Sequence, residues 1–464
     1  MAEVEQDARP ATLSVVTLTT VVIGSMVGAG VFSLPAQFAA ETGVVGTLIA
    51  WTVAGTGMLM LALVFQRLAV RRPDLESGIY AYAKEGFGQY PGFFSAFGYW
   101  ASAAVGNVTY WVLIMSTVGA VVPALGDGDT PLAVLLASAG LWGGYAVVRR
   151  GVREAAAINR IVTVAKVVPV VVFVLLAAFA FDPDVFAHNL NGPGSMFSQV
   201  RGTLLATVFV FLGVEAASVY SRHARSRRDV GRATLLGFLS VFAVFASVTI
   251  VSFGILPREQ IAALRQPSMA GVLEEAVGGW GSAFISVGLI VSVLGAYLAW
   301  TLMSAETLYV AAKDDDMPRF LARTHGDVPV NALTLTTCLS QATLLLTLFS
   351  QNAFNFALSL TSSLVLIPYA LAAGYALKLA RADRVGRLVA VIASAYTLFL
   401  LVGAGPKYVL ISFLFYAPAT ILFVMARREQ GRQWLTRGER VLAAVTIALA
   451  VLAIVSLARG WITL

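Results

Sequence analysis

The sequence predicts an all-α polytopic membrane protein, on three observations. Hydrophobic residues fill 58% of the 464 positions and charged residues only 12%, against roughly 25% charge in a soluble domain. Apolar runs of about twenty residues, the length that crosses a hydrocarbon core, follow one another along the chain. Basic residues collect in every second connection between those runs.

Thirteen spans are expected, at 12–39, 44–69, 92–122, 131–148, 157–181, 198–221, 233–256, 281–311, 331–350, 353–377, 388–404, 407–426 and 441–462. The first is longer than a secretory signal core and follows Glu3, Glu5 and Asp7 rather than basic residues, so it reads as a retained span. The short pair 388–404 and 407–426 is joined only by Gly405-Pro406.

One set of connections carries Arg67, Arg71, Arg72 and Lys84, then Arg149, Arg150, Arg153 and Arg160, then Arg222, Arg225, Arg227, Arg228 and Arg232. It continues with Lys313, Arg319 and Arg323, with Lys378, Arg381, Arg384 and Arg387, and with Arg427, Arg428, Arg432, Arg437 and Arg440. The opposite connections hold Asp127 and Asp129, Asp182 and Asp184, or Arg258 and Arg265 among carboxylates. The positive-inside rule places the first set, and the N-terminal tail, in the cytoplasm of a multi-pass cell-membrane protein. The net charge of +7 is thus a topology signal, and no nucleic-acid partner is expected. Cys338 is the single cysteine, and His188, His223 and His325 lie far apart, so neither a disulfide framework nor a metal centre is expected. No nucleophile, base or metal cluster converges at any depth, which argues against an enzyme, and no cofactor is expected.

Two spans break where a continuous helix would not. Gly24-Ser25-Met26-Val27-Gly28-Ala29-Gly30 interrupts the first, and Phe211-Leu212-Gly213-Val214-Glu215-Ala216 the sixth. Glycine costs about 1 kcal/mol against alanine inside a helix, and a carboxylate at membrane depth about 2.5–3.5 kcal/mol or more. Unwound backbone is tolerated there only where protein or a cavity covers it, and such paired breaks point to a transporter's substrate site. Behind the Gly28-Ala29-Gly30 turn, a half-helix starting near Val31 presents free N–H groups and a positive dipole end to a carboxylate. Carbonyls at Gly213 and Val214 would accept from an ammonium group. Close packing of helices through small residues is the plainer reading of the glycines, and Glu215 in a matching break favours the clamp.

Three roles stay open for Glu215: proton carrier, gate coupler, or acceptor for N–H groups freed by unwinding. Lys166 lies well inside the fifth span and is a functional candidate by default, with snorkelling from the span end as the alternative. In the third span, Tyr99, Trp100, Ser102, Gly106, Asn107 and Tyr110 share a stretch in which Ser102 and Asn107 offer polar atoms to a substrate side chain. Phe209 precedes the second break and Trp300 lies in the eighth span; aromatic faces attract cations, though most aromatics in spans pack or sit at interfaces.

At these residues the chain resembles the amino acid–polyamine–organocation superfamily, in particular its basic amino acid/polyamine antiporters of the arginine/ornithine type. The matching segments run from Gly24 to Pro35, from Glu76 to Lys84, through Gly98-Tyr99-Trp100 with Gly106-Asn107, from Phe211 to Val219, and from Trp300-Thr301-Leu302 to Ala311-Ala312-Lys313-Asp314. The resemblance implies a LeuT-like fold of five-plus-five inverted repeats with the first and sixth helices unwound at mid-membrane. Its repeats would be 12–181 and 198–377, after a tail at 1–11 and before accessory helices in 388–464.

The resemblance further implies that the Gly28, Ala29 and Gly30 turn binds a substrate carboxylate, through backbone N–H groups alone because Ala29 replaces a small hydroxyl. Asn107, Phe209 and Trp300 would hold a guanidinium and its stem, with Phe209 standing where arginine/agmatine antiporters have tryptophan. Lys166 would act as a sodium surrogate. The thirteenth span fits arginine/ornithine and lysine permease-like members. The expected activity is one-for-one exchange of cationic amino acids, arginine entering as ornithine leaves, with Tyr99, Lys166 and Glu215 in coupling or gating and a homodimer among the assemblies found in similar antiporters. The alternative is proton-coupled uptake of lysine or a neutral amino acid. A channel lacks the expected filter repeats, and a sensor lacks a long partner-binding loop.

Overall fold

The computed structural model describes residues 14–75, 78–215, 227–380, 383–403 and 406–463. Residues 216–226, with Ala216, His223, Arg222 and Arg225 and the remainder of the expected sixth span, lie outside the described residues. So do the 1–11 tail, Glu76, Ser77, Arg381 and Gly405.

Eighteen α-helices are described. They are α1 (Val15–Met26), α2 (Leu34–Glu41), α3 (Val44–Arg71), α4 (Ile79–Phe87), α5 (Gln89–Gly119), α6 (Pro131–Arg150), α7 (Val152–Phe179), α8 (Pro183–His188) and α9 (Met196–Val210). After the 216–226 interval come α10 (Arg227–Ser252), α11 (Arg258–Ala263), α12 (Ser268–Val277), α13 (Gly279–Lys313), α14 (Val330–Leu346), α15 (Ala353–Leu379), α16 (Arg384–Gly403), α17 (Pro406–Glu429) and α18 (Arg437–Ala458). Among the described residues ten helices are long and apolar enough to cross a membrane, and the bent pair of α1 and α2 makes up to eleven. Lys166–Phe179 of α7 and Met196–Val210 are apolar but shorter. The structure therefore shows a polytopic helical membrane protein, with ten to eleven candidate spans among the described residues against the thirteen expected.

Helix starts follow local chemistry. Ser14, Thr130, Ser195 and Asn352 each accept a hydrogen bond from a backbone N–H of the first turn that follows, and Thr436 with Glu439 forms a capping box at α18. Such caps satisfy donors that a helix cannot pair internally.

At the centre, α5 and α15 are buried along most of their length and pack on each other. Around them, α13 packs on α5 and α7, α1 on α10, and α3 on α9, α10 and α16. At the end of the chain, α18 packs on α17, joined by the Arg427–Glu439 ion pair at 2.7 Å. On the face that carries the basic connections, Asp383 receives Arg67 at 2.9 Å and also Arg71, tying α3 to the start of α16. The Gly386 N–H beside it, then Arg71 and Arg67, hold this carboxyl below the ordinary carboxylate range. His188 and His325 are exposed in connections.

Glycines set how closely α3 approaches its neighbours. A methyl added at Gly57 would fall 2.1 Å from Cγ of the Tyr396 ring on α16. Gly143, on the exposed side of α6, has no atom within 4 Å of the same construction. Overpacking costs typically about 1–3 kcal/mol, so Gly57→Ala is expected to lower the melting temperature in detergent while Gly143→Ala leaves it unchanged or raises it; a tryptophan-fluorescence melt of the two variants checks this.

Candidate functional site

The first break begins where α1 stops. Val27 and Gly28 are extended, a 3-10 turn follows at Ala29–Ser33, and α2 leaves at 49° to α1. Pro35 sits in the first turn of α2, where a missing N–H costs nothing. Ending α1 at Met26 strands its last carbonyls. The Ile23 carbonyl accepts from Val27 N–H at 2.9 Å, and the Gly24 carbonyl accepts from the buried Lys166 ammonium at 3.3 Å. A cation at that position also meets the negative end of the α1 dipole.

The second break starts after Val210. Phe211 N–H reaches back to Thr207 and Val208, and Gly213 adopts φ +97°, a left-handed conformation that side chains rarely take. The Gly213 carbonyl accepts from Ser25 Oγ at 2.9 Å, so the two breaks are hydrogen-bonded to each other. They also interlock by shape: a methyl at Gly30 would lie 2.6 Å from Val210 Cγ1 and 2.7 Å from Phe209 Cδ1.

Glu215 ends the described part of this break and is buried. Its carboxylate accepts from Tyr99 Oη at 2.6 Å and from Tyr369 Oη at 3.1 Å. The backbone N–H groups of Gly213 and Glu215 itself also hydrogen-bond it. The charge costly at membrane depth is thus met by donors from α5, α15 and the unwound chain.

A small cavity of about 20 Å³ lies where the breaks meet. Its walls are Ser25, Gly28, Ala29 and Gly30 of the first break, Ser102, Gly106 and Tyr110 of α5, Phe209 and Leu212, Trp300 of α13, and Thr361 of α15. A larger chamber of about 660 Å³ lies toward the basic face and is lined by Asp74, Glu85, Glu306, Asp314 and Asp316 with Lys84. Along α5, Ala96 and Tyr99 line the chamber and Ser102 and Ala103 the cavity; along α13, Val310, Glu306 and Met303 line the chamber and Trp300 the cavity. Tyr99 and Glu215 therefore stand at the inner end of the chamber, between the two spaces. Lys84 pairs with Asp316 at 2.7 Å and Tyr80 donates to Asp314 at 2.7 Å, fastening α4 to the end of α13 at the chamber wall. Burial pushes the Asp316 carboxyl above its ordinary value, against the Lys84 contact. On the opposite face a third space of about 380 Å³ is lined by Gln37, Glu41, Asp127, Asp129, Arg265 and Asn355.

A family model described as amino acid permease matches residues 13–437 of this chain. The chain belongs to the amino acid permease family. A relative from Pseudomonas aeruginosa named arginine/ornithine antiporter is 45% identical, covering 96% of this permease and 97% of that protein. A Corynebacterium glutamicum protein named L-lysine transport protein is 37% identical, over 98% of this permease and 96% of the relative. One from Chlamydia abortus named arginine/agmatine antiporter is 36% identical over 90% of each chain. These matches agree with the superfamily read from the motifs.

Of the residues singled out in the permease sequence, Gly28, Ala29, Gly30, Ser102, Phe209 and Trp300 share the cavity. Three of the residues expected to bind substrate do not line it. Asn107 is buried on α5 and donates through Nδ2 to Thr301 Oγ1 at 3.0 Å, while its Oδ1 has no partner among the described residues. Gly213 gives its carbonyl to Ser25, and Val214 N–H is taken by the Phe211 carbonyl at 3.1 Å. The second break contributes Phe209, Val210 and Leu212 to the wall instead, because α9 already ends at Val210. Thr361 and Tyr369 were missed. The signal for them is the buried hydroxyl run Ser359, Thr361, Ser362 and Ser363 within one apolar helix. Among the described residues no group of three His, Cys, Asp or Glu is placed to hold a metal ion.

Gly30→Ala is expected to force the two breaks apart and to lower the melting temperature by several degrees, since its methyl meets Val210 and Phe209. Gly28→Ala, with Tyr110 Oη at 3.3 Å as nearest atom, is expected to shift it less. Parallel melts in the same detergent decide the order.

Proposed function

We propose that this permease is a secondary active transporter that exchanges cationic amino acids by alternating access, arginine entering as ornithine leaves. The observation that carries the reading is the cavity formed where the two interrupted helices meet. The first N–H groups after Gly28 have no partner within their own turn and face the place a carboxylate would take. Phe209 and Trp300 offer flat apolar walls to a side-chain stem, and aromatic faces favour a guanidinium or ammonium group. The printed names of the relatives support the substrate class: arginine/ornithine antiporter at 45% identity and L-lysine transport protein at 37%. Equal charges exchanged one for one move no net charge, so the exchange draws on no ion gradient.

In this reading the chain is a LeuT-like scaffold of thirteen spans in the cell membrane, with repeats 12–181 and 198–377, accessory helices in 388–464 and the N-terminus in the cytoplasm. The basic connections then lie inside, and the acidic chamber is the cytoplasmic vestibule, where carboxylates raise the local concentration of a cationic substrate. Tyr99, Glu215 and Tyr369 form the barrier between vestibule and cavity. Lys166 holds the broken end of α1 as a fixed cation, in the place a sodium ion would take. Asn107, whose Oδ1 has no partner among the described residues, serves the substrate's cationic end from behind Gly106 once the wall relaxes. Glu215 acts as gate coupler and as acceptor for the unwound backbone.

Proteoliposomes loaded with ornithine are expected to take up labelled arginine, and empty ones to take up little. Equal uptake into empty vesicles under an inward proton gradient would instead support the proton-coupled permease. Glu215→Gln replaces an acceptor oxygen by a donor facing a tyrosine hydroxyl. Hydrogen bonds to charged groups are worth about 1.5–3 kcal/mol, so this variant is expected to exchange roughly tenfold more slowly or worse while arginine affinity changes much less. Parallel loss of affinity would make Glu215 a substrate ligand.

A further inference from the structure

We propose that the Tyr110 hydroxyl is a further donor to the substrate carboxylate and sets the preference for amino acids over their decarboxylated amines. The inference rests on the amino acid reading of the cavity above and adds a residue to it.

Four side-chain hydroxyls line the cavity: Ser25, Ser102, Tyr110 and Thr361. Ser25 donates to the Val22 and Gly213 carbonyls, Ser102 to the Thr361 carbonyl, and Thr361 to the Ala357 carbonyl. Tyr110 is 7% exposed, and among the described residues its hydroxyl has no hydrogen-bond partner. Buried tyrosine hydroxyls elsewhere in the chain are mostly paired: Tyr90 with Thr420, Tyr297 with the Leu141 carbonyl, Tyr369 with Glu215 and Tyr416 with the Leu364 carbonyl. Buried polar groups are overwhelmingly hydrogen-bonded, so an unpaired hydroxyl lining a cavity calls for a ligand.

Its position selects the ligand's chemistry. Tyr110 Oη lies 3.3 Å from where a methyl on Gly28 would stand, beside the first residue of the turn. The N–H groups that follow, on Ala29 and Gly30, are donors at the positive end of a helical segment. A phenol both donates and accepts, and next to converging N–H groups it faces an anion as donor. A carboxylate seated on the turn therefore meets Tyr110 Oη from the α5 side. An amine lacking the carboxylate leaves the hydroxyl unpaired.

The test compares wild type with Tyr110→Phe, which keeps the ring and removes only the hydroxyl. Binding of arginine and of argininamide, whose carboxylate is a neutral amide, is measured by competition on purified protein. Loss of one hydrogen bond to a charged group predicts that the arginine Kd rises about tenfold or more while the argininamide Kd changes less than about twofold. An unchanged arginine Kd, an equal loss for both ligands, or loss of all binding would overturn the proposal, because the hydroxyl would then serve nothing or serve packing. If wild type binds neither ligand, the arginine reading fails on its own. The same comparison then runs on lysine with lysinamide and leucine with leucinamide, and a hydroxyl effect confined to the carboxylate form still supports Tyr110.

Discussion

Unwinding a helix in apolar surroundings strands backbone polar groups, and this constraint organises the centre of the molecule. An unpaired N–H or carbonyl in hydrocarbon costs several kcal/mol, so each break needs partners from outside its own helix. The end of α1 finds the Lys166 ammonium, and the turn at Gly213 finds Ser25. The Glu215 carboxylate gathers two tyrosine hydroxyls together with backbone N–H groups of the second break. Most groups freed by unwinding are thus satisfied within the protein. Those facing the cavity, at the start of the Ala29–Ser33 turn, are the ones a ligand could satisfy, which is why the break and the proposed binding surface coincide.

The same breaks are locked by shape. Gly30 sits against Phe209 and Val210 with no room for a methyl group, and Gly213 against Ser25 in a backbone conformation that disfavours any side chain. A ligand or gate movement that shifts one break must therefore shift the other. Interfaces packed this closely change between discrete arrangements rather than deforming smoothly. In an alternating-access carrier that coupling is what lets an occupied cavity change the side to which it opens.

Charge is distributed to match. Carboxylates line the chamber on the basic face and also the space on the opposite face, while the small cavity between them holds no ionised side chain in its wall. Lys166 and Glu215 are not part of that wall; Lys166 donates to the Gly24 carbonyl and Glu215 accepts from Tyr99. In the proposed exchange a cation would move from an attracting vestibule into an apolar and aromatic cavity whose polar contacts are few and directional. Such an arrangement discriminates by where hydrogen-bonding groups sit on the ligand more than by charge alone.

Much of this was legible in the sequence because it depends on local pattern. Membrane-spanning length, the alternation of basic connections, the glycines at the first break and a carboxylate in the second are properties of consecutive residues; they determined the polytopic helical class and the family, and they pointed to the neighbourhood of the candidate site. Partners across the bundle were not legible. Ser25 meets Gly213, and Tyr369 meets Glu215, through contacts between helices far apart in the chain. Nor did the sequence decide which residues of a span face the cavity. Side chains advance about 100° per residue around a helix, so Ser102, Gly106 and Tyr110 reach the cavity while Asn107 turns to Thr301. Only the packing of α5 against α13 and α15 settles that rotation, because in an apolar span nearly every face is hydrophobic and the periodic signal that orients a helix in water is absent.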